Sequence, residues 1–232
     1  ITWSSKGKIE YVDIYYQVKQ SGGSWGSPQE IHSHQANGDT DAKQYDWTIP
    51  YTLAAENVLI MVKDNNALFQ DTYDVSDNPF KIRPWIYIDQ PTADSVWDAG
   101  TKPTIIWTKH GPSAFNKVKI EYAINNPDFE NLGSNSPFGV KNIISSKQFS
   151  QSAGTYEWTI PPEAVAYNNI RIRVSNIDTE QTYTEVSKIS DPFIVRARFD
   201  DIIPNGGEGW IIGDKETISW TQIGYTYYPY SG

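Results

Sequence analysis

Two histidines spaced i, i+2, His32 and His34, would project from one face of a β-strand and could begin a metal site if other ligands converged on them. The chain has only three histidines and no cysteine, so a solvated strand or loop accounts for the pair, and His110 reads as a turn residue before Gly111-Pro112. No metal site is assigned to them. Hard oxygen donors of the kind Ca²⁺ prefers occur at Asp39 with Asp41, Asp64-Asn65-Asn66, Asp71-Thr72-Tyr73-Asp74 with Asp77, and Asp200-Asp201. None has an EF-hand or repeat-in-toxin register, and Asx residues are equally the material of β-turns. No cofactor is therefore expected, and Ca²⁺ is the one ion left open. Neither a nucleophile elbow, a phosphate loop, a dinucleotide fingerprint nor a His-Glu-x-x-His helix is present. Nothing singles out a catalytic pair among the 28 acids, so the chain reads as non-enzymatic. Trp25, flanked by Gly23-Ser24 and Gly26-Ser27, reads as a loop tip suited to stacking on a sugar ring.

The elements that must position these residues are short and rich in rings. Hydrophobic residues make up 38 % of the 232 positions, but aromatics reach 14 %, including nine Trp and fifteen Tyr, so any core is built on a few large side chains. The formal net charge of −9 has the wrong sign for coating nucleic acid. No stretch approaches the roughly 18 consecutive apolar residues of a membrane span. The single methionine, Met61, is internal and the chain opens on Ile1, as expected of a piece excised from a longer protein.

A repeat organises the sequence. Ile1-Thr2-Trp3 returns as Ile105-Ile106-Trp107 and again as Ile218-Ser219-Trp220, at successive spacings of 104 and 113. Tyr45-Asp46-Trp47-Thr48-Ile49-Pro50 returns as Tyr156-Glu157-Trp158-Thr159-Ile160-Pro161, and Asn57 to Val62 returns as Asn169 to Val174, at offsets of 111 and 112. Ser76-Asp77-Asn78-Pro79-Phe80 answers Ser190-Asp191-Pro192-Phe193, and Trp97 with Gly100 answers Trp210 with Gly213.

Each block alternates with a period of two, as in Val12, Ile14, Tyr16, Val18 and again in Val118, Ile120, Tyr122, Ile124, which predicts strands with one face inward. Gly, Pro, Asn and Ser clusters separate them and favour antiparallel pairing. Only Pro161–Ala166 and Tyr51–Ala55 are expected to make a turn of helix. The expected fold is all-β, in tandem immunoglobulin-like β-sandwiches: residues 1–84 without a first strand, a complete sandwich at 85–197, and the start of a third repeat or a donor/exchange segment at 198–232. With no disulfide to pin the sheets, Trp3, Trp107 and Trp220 on one recurring strand and Trp47 and Trp158 on another are the expected core anchors, one of each set meeting between the sheets.

The order Trp-x-x-Gly, Ile-x-Trp, Tyr-x-Trp-Thr-Ile-Pro, Asn-Ile-Arg-Ile-Arg-Val, Ser-Asp-Pro-Phe resembles the immunoglobulin-like domain of the Ser/Thr-rich, glycosylphosphatidylinositol-anchored fungal cell-wall proteins, which also recurs in large bacterial and archaeal surface proteins. The resemblance runs from Trp97 to Val195 and is carried by Trp97, Gly100, Ile105, Trp107, Tyr156, Trp158, Pro161, Arg171, Arg173, Asp191 and Phe193; it is weaker over residues 1–82. It implies an extracellular, non-catalytic wall or surface repeat and supplies no catalytic residues.

Where the second repeat has Arg171 and Arg173 on its outer face, the first has Leu59 and Met61, so that sheet is expected either to be covered by another domain or chain, or to carry a locally thickened core or a loop folded over it. The first repeat lacks the opening that the third copy supplies. The simpler explanation is a window on a long tandem array. The other is head-to-tail polymerisation, residues 199–215 completing the first domain of the next molecule. It ranks second because the Ile218–Trp220 strand would duplicate Ile1–Trp3. The expected function is a structural repeat of an extracellular or cell-surface fibre, spacer or adhesin; the alternative is a carbohydrate-binding or accessory module of a secreted polysaccharide-active protein. The expected partners are neighbouring repeats or copies of the chain, with cell-wall polysaccharide a further candidate; nucleic acid is excluded.

Overall fold

In a computed structural model, the structure describes residues 1–38, 43–69, 71–111, 116–132, 138–149, 152–177 and 186–225. The chain is all-β and divides at Pro84/Trp85 into two compact units, each a sandwich of the immunoglobulin-like kind.

The first unit contains β1 (Thr2–Trp3), β2 (Tyr11–Val18), β3 (Gln29–Ala36), β4 (Lys43–Gln44), β5 (Ala55–Asp64), β6 (Tyr73–Val75) and β7 (Phe80–Ile82). β1 pairs with β4, and the Ile1 amine and carbonyl extend that ladder to Tyr45. The larger sheet runs β3-β2-β5-β6, with β7 also on β5. The period-two pattern of β2 buries Val12 and Ile14, which with Ala55, Val58 and Ile82 are the buried apolar side chains among the described residues of this unit.

The second unit begins with β8 (Trp85–Gln90), β9 (Val96–Asp98), β10 (Thr104–His110), β11 (Lys117–Ile124), β12 (Lys141–Gln148) and β13 (Ala153–Glu157). A 3₁₀ turn at Pro162–Ala164, β14 (Ala166–Asn176), β15 (Ser187–Ile189) and β16 (Phe193–Arg196) follow. One sheet is β13-β10-β8; the other is β12-β11-β14-β16-β9, with β15 on β14. β9 is parallel to β16, whereas the other pairs are antiparallel. Trp107 and Ile105 from the first sheet meet Val118, Ile120, Ile170, Ile172 and Val174 from the second in one core.

The two units share one register. Val12↔Asp64 and Ile14↔Val62 in the first match Val118↔Asn176 and Ile120↔Val174 in the second. Val58↔Phe80 matches Ile170↔Phe193. One predicted helical turn appears at Pro162–Ala164, whereas Tyr51-Thr52 is a turn and Ala55 already belongs to β5. Beyond β16, β17 (Arg198–Ile203) and β18 (Ser219–Ile223) pair as a separate two-stranded sheet, and these residues cluster with the second unit.

Candidate functional site

Trp107 is fully buried, its ring lying over Gly154 across the β10–β13 ladder, where any Cβ would overlap the indole. The Phe149 ring meets it edge-on at 5.6 Å. Trp158 is also buried, but its ring neighbours are Tyr122 at 5.1 Å and Trp97 at 6.3 Å. The two indoles thus anchor one core from different sets of rings instead of stacking as a pair.

The first unit departs from this. Opposite Trp3 stands Lys43, not glycine, so the indole cannot lie flat on the ladder. It is half-buried and donates through Nε1 to Oδ1 of the buried Asn37 at 3.0 Å. Asn37 in turn donates to Ser5 Oγ and the Ile9 carbonyl. Trp47 is half-buried and stacks on Tyr16 at 5.3 Å, the counterpart of Trp158 on Tyr122 without the third ring. Trp220 is not a core anchor: it is 57 % exposed, on a sheet in which, among the described residues, β17 and β18 pair only with each other.

The first unit carries a cleft at edges that are paired in the second. In the second unit β10 is flanked on one edge by β13 and on the other by β8, with Ile106↔Gln90 and Trp107↔Ile88 in register. Thr2 and Trp3 hold the places of Ile106 and Trp107, and among the described residues their only strand neighbour is β4. Likewise β16 has β9 beside it, and Trp97 of β9 packs edge-on against Phe193 at 5.1 Å. The equivalent β7 has no such neighbour among the described residues, and Phe80 is 37 % exposed where Phe193 is fully buried. Between these two edges opens a cleft of about 990 Å³, lined by Trp3, Trp47, Ile60, Val62 and Phe80, with Lys6 and Lys63 also contributing. The reactive-group patterns of the sequence do not point to this cleft; the repeat arithmetic does.

The remaining candidates fall elsewhere. Trp25 is not a loop tip but bridges Lys19 at the base of the β2–β3 hairpin, beyond which Gln20 to Ser24 form the turn. Its ring is 37 % exposed. Leu59 and Met61 are half-buried, and lie opposite Gln17 and Tyr15. Met61–Tyr15 occupies the register of Arg173–Glu121, so an apolar cross-strand pair replaces an ion pair on the outer face. The metal-like spacing of His32 and His34 is interrupted by a bulge, with His34 at φ +58°; His32 stacks on Tyr45, and His34 lies tilted against Tyr11. Asp64 and Asn66 accept backbone N–H groups two residues on, as Asx turns do, and Asp200 pairs with Arg198. Asp39 and Asp41 lie outside the described residues. Among the described residues no three His, Asp or Glu side chains converge as a metal would require.

A second exposed aromatic group contains Trp85, which the sequence offers as a sugar-stacking candidate but explains as a junction residue. Trp85 stacks on His110 at 4.2 Å, 8° from parallel, with Tyr87 edge-on at 6.3 Å. Its signal was the cross-strand register Trp85↔His110, which spacing along the chain does not reveal.

Electrostatics mark the second unit's outer face. Burial alone would raise the Glu121 carboxyl, but hydrogen bonds and charge from Lys119 and Arg173 outweigh it and hold the carboxyl below its ordinary value. Arg173 reaches Glu121 Oε2 through both Nε and Nη2, and its guanidinium also covers the Phe129 ring at 4.7 Å. Burial, with the charges of Glu163 and Tyr225, pushes the Tyr122 hydroxyl up to about 12.

No family model and no curated protein matches the chain. Among solved structures, the fibronectin(III)-like modules of Clostridium thermocellum CbhA align over 84 % of this chain and 85 % of that one, at 15 % identity and a TM-score of 0.29.

Proposed function

We propose that this chain is a non-enzymatic structural repeat of an extracellular or cell-surface fibre, spacer or adhesin. The observation that carries this reading is the joint between the second sandwich and the third repeat. A single residue, Ala197, separates β16 from β17. Arg198 donates from Nε to the Ala99 carbonyl at 3.0 Å while its guanidinium holds Asp200. Ile223 packs on the second core, and Gly224 lies so close to Val165 that a side chain there would collide with it. The Tyr225 N–H donates to the Pro162 carbonyl at 3.1 Å. A joint with one spare residue and packed contacts on both sides limits bending, which is what a spacer requires and a loosely tethered accessory module does not. The net charge of −9 keeps neighbouring copies from collapsing together non-specifically.

The Trp85–His110 stack favours a second reading, carbohydrate binding, because exposed flat rings are what a sugar face packs against. Co-sedimentation with insoluble cellulose, chitin and cell-wall glucan separates the two. The structural reading expects the chain to stay in the supernatant. Retention that is lost in both Trp85→Ala and Trp25→Ala, with folding intact, would replace it with the carbohydrate-binding one.

A further inference from the structure

We propose that Asn205-Gly206 is a self-modifying turn: the Gly206 nitrogen closes on the Asn205 carboxamide, Glu208 accepts the proton, and water then opens the ring to leave an aspartyl or isoaspartyl residue. The proposal goes beyond the structural-repeat reading and does not rest on it.

The sequence contains two Asn-Gly pairs, Asn37-Gly38 and Asn205-Gly206. In both, glycine leaves the following main-chain nitrogen without a flanking side chain, so it can approach the carboxamide carbon. The structure separates them. Asn37 is buried and its carboxamide is fully engaged: Oδ1 accepts from Trp3 Nε1 at 3.0 Å, and Nδ2 donates to Ser5 Oγ at 3.0 Å and to the Ile9 carbonyl at 2.9 Å. Swinging that group onto the Gly38 nitrogen would break all three bonds and leave polar atoms unpaired inside the fold. Asn205 is exposed, and its carboxamide has no hydrogen-bond partner among the described residues. Gly206 has φ +118°, and no atom lies within 4 Å of where a Cβ would stand, so the peptide between the two residues has room to turn.

The turn also supplies a base. The Asn205 N–H donates to Glu208 Oε1 at 2.9 Å and the Gly206 N–H to Oε2 at 2.8 Å. The second contact is within the hydrogen-bond reach that a general base needs, and the proton it holds is the one on the attacking nitrogen. Hydrogen bonds from main-chain N–H groups keep the Glu208 carboxyl below its ordinary value, so it is ionised at neutral pH.

The same turn occurs in the second unit, 113 residues earlier, where Thr92 is exposed and its N–H donates to Ser95 Oγ at 2.9 Å. Exposure of this turn is therefore common to both copies. Thr92, Ala93 and Ser95 stand there in place of Asn205, Gly206 and Glu208, so the second unit keeps the turn without the carboxamide, the glycine or the carboxylate.

The steps balance without any oxidant. As the N–H proton passes to Glu208 Oε2, the Gly206 nitrogen bonds to Asn205 Cγ; Nδ2 takes that proton and leaves as ammonia, giving a cyclic imide. Water adds at one of the two ring carbonyls. Opening at Cγ restores the ordinary main chain with an aspartate, and opening at the main-chain carbon routes the chain through the former side chain. Either product sets a second carboxylate close to Glu208, and like charges at that distance weaken its hold on the turn.

The full chain, incubated at neutral pH, can be followed by peptide mapping with isoaspartate resolved from aspartate. Asn205 is expected to react at least about tenfold faster than Asn37, and Glu208→Gln to slow Asn205 by about tenfold or more with circular dichroism unchanged. In concentrated urea, where burial and the turn are both lost, the two Asn-Gly pairs should react alike and Glu208→Gln should have no effect. Equal rates at Asn37 and Asn205 in the folded chain overturn the proposal. So does an Asn205 rate that Glu208→Gln leaves unchanged or raises, or a difference between the two sites that persists undiminished in urea. None of these outcomes bears on polysaccharide retention, so the structural-repeat reading stands or falls separately.

Discussion

At the scale of single residues, the second core depends on an absent side chain as much as on a present one. Trp107 lies on Gly154, where a Cβ would overlap the indole, and Phe149 packs against the same ring. Gly154→Ala is expected to cost about 1–3 kcal/mol by overpacking, read as a lower denaturant midpoint for the second unit with the slope unchanged. Two titrations should be visible in the same unit. Glu121 has a depressed carboxyl pKa, so its contribution is full above the ordinary carboxylate value and disappears as pH falls through the folded value. The stability gap between the parent and Glu121→Gln should therefore be widest near neutrality and close in acid. Tyr122 works with the opposite sign. Its folded pKa of about 12 exceeds the ordinary 10.0, so its contribution is present below 10.0 and is lost as pH climbs towards 12. In Tyr122→Phe, thermal melts across that range should show the alkaline decline flattened; an unchanged decline would assign it to other groups.

At the scale of elements, the same strand motif has three fates, and what lies on either side of it decides which. Ile105–Trp107 sits between β8 and β13 under a second sheet, and its indole disappears from solvent. Among the described residues, Ile1–Trp3 has β4 alone, and Ile218–Trp220 has β17 alone. Truncating the ring should reflect this: Trp107→Ala is expected to cost about 3–5 kcal/mol, and Trp220→Ala less than about 1 kcal/mol, both from urea midpoints. A large loss for Trp220→Ala in monomeric chain would mean that β18 is covered after all. The contrast explains how much could be read beforehand. Period-two alternation and the repeat order gave the strands, the sandwich and the Trp107 and Trp158 anchors, because those depend on local pattern and on a complete set of neighbours. They misplaced Trp220, because burial belongs to the opposing sheet and not to the strand. Trp25 was misread because the turn closes one residue earlier, at Gln20–Ser24, leaving the ring on the hairpin's base. The cleft was legible only as missing material in the first repeat; that Phe80 and Trp47 would line it required the register of β7 and β16.

At the scale of the whole molecule, the two units carry separate cores of unequal quality. The second gathers Trp107, Phe193, Ile120, Ile172 and their neighbours into one continuous buried cluster, whereas the first has only Ala55, Val58 and Ile82 in its cluster, ringed by half-buried Tyr16, Val18, Trp47 and Leu53. Hydrophobic stabilisation scales with apolar area removed from water, and the first unit's groove leaves Ile60, Val62 and Phe80 partly unprotected. The chain should therefore unfold in two steps, the first unit before the second, and a single midpoint would misrepresent it. Equivalent substitutions assign the steps. Ile14 and Ile120 hold the same position in the two sheets and are both fully buried. Ile14→Ala should lower only the earlier transition and Ile120→Ala only the later, each by about 2–5 kcal/mol, in calorimetry of the chain. If Ile14→Ala and Ile120→Ala shift one common transition equally, the units are a single cooperative body and the unequal-core account fails.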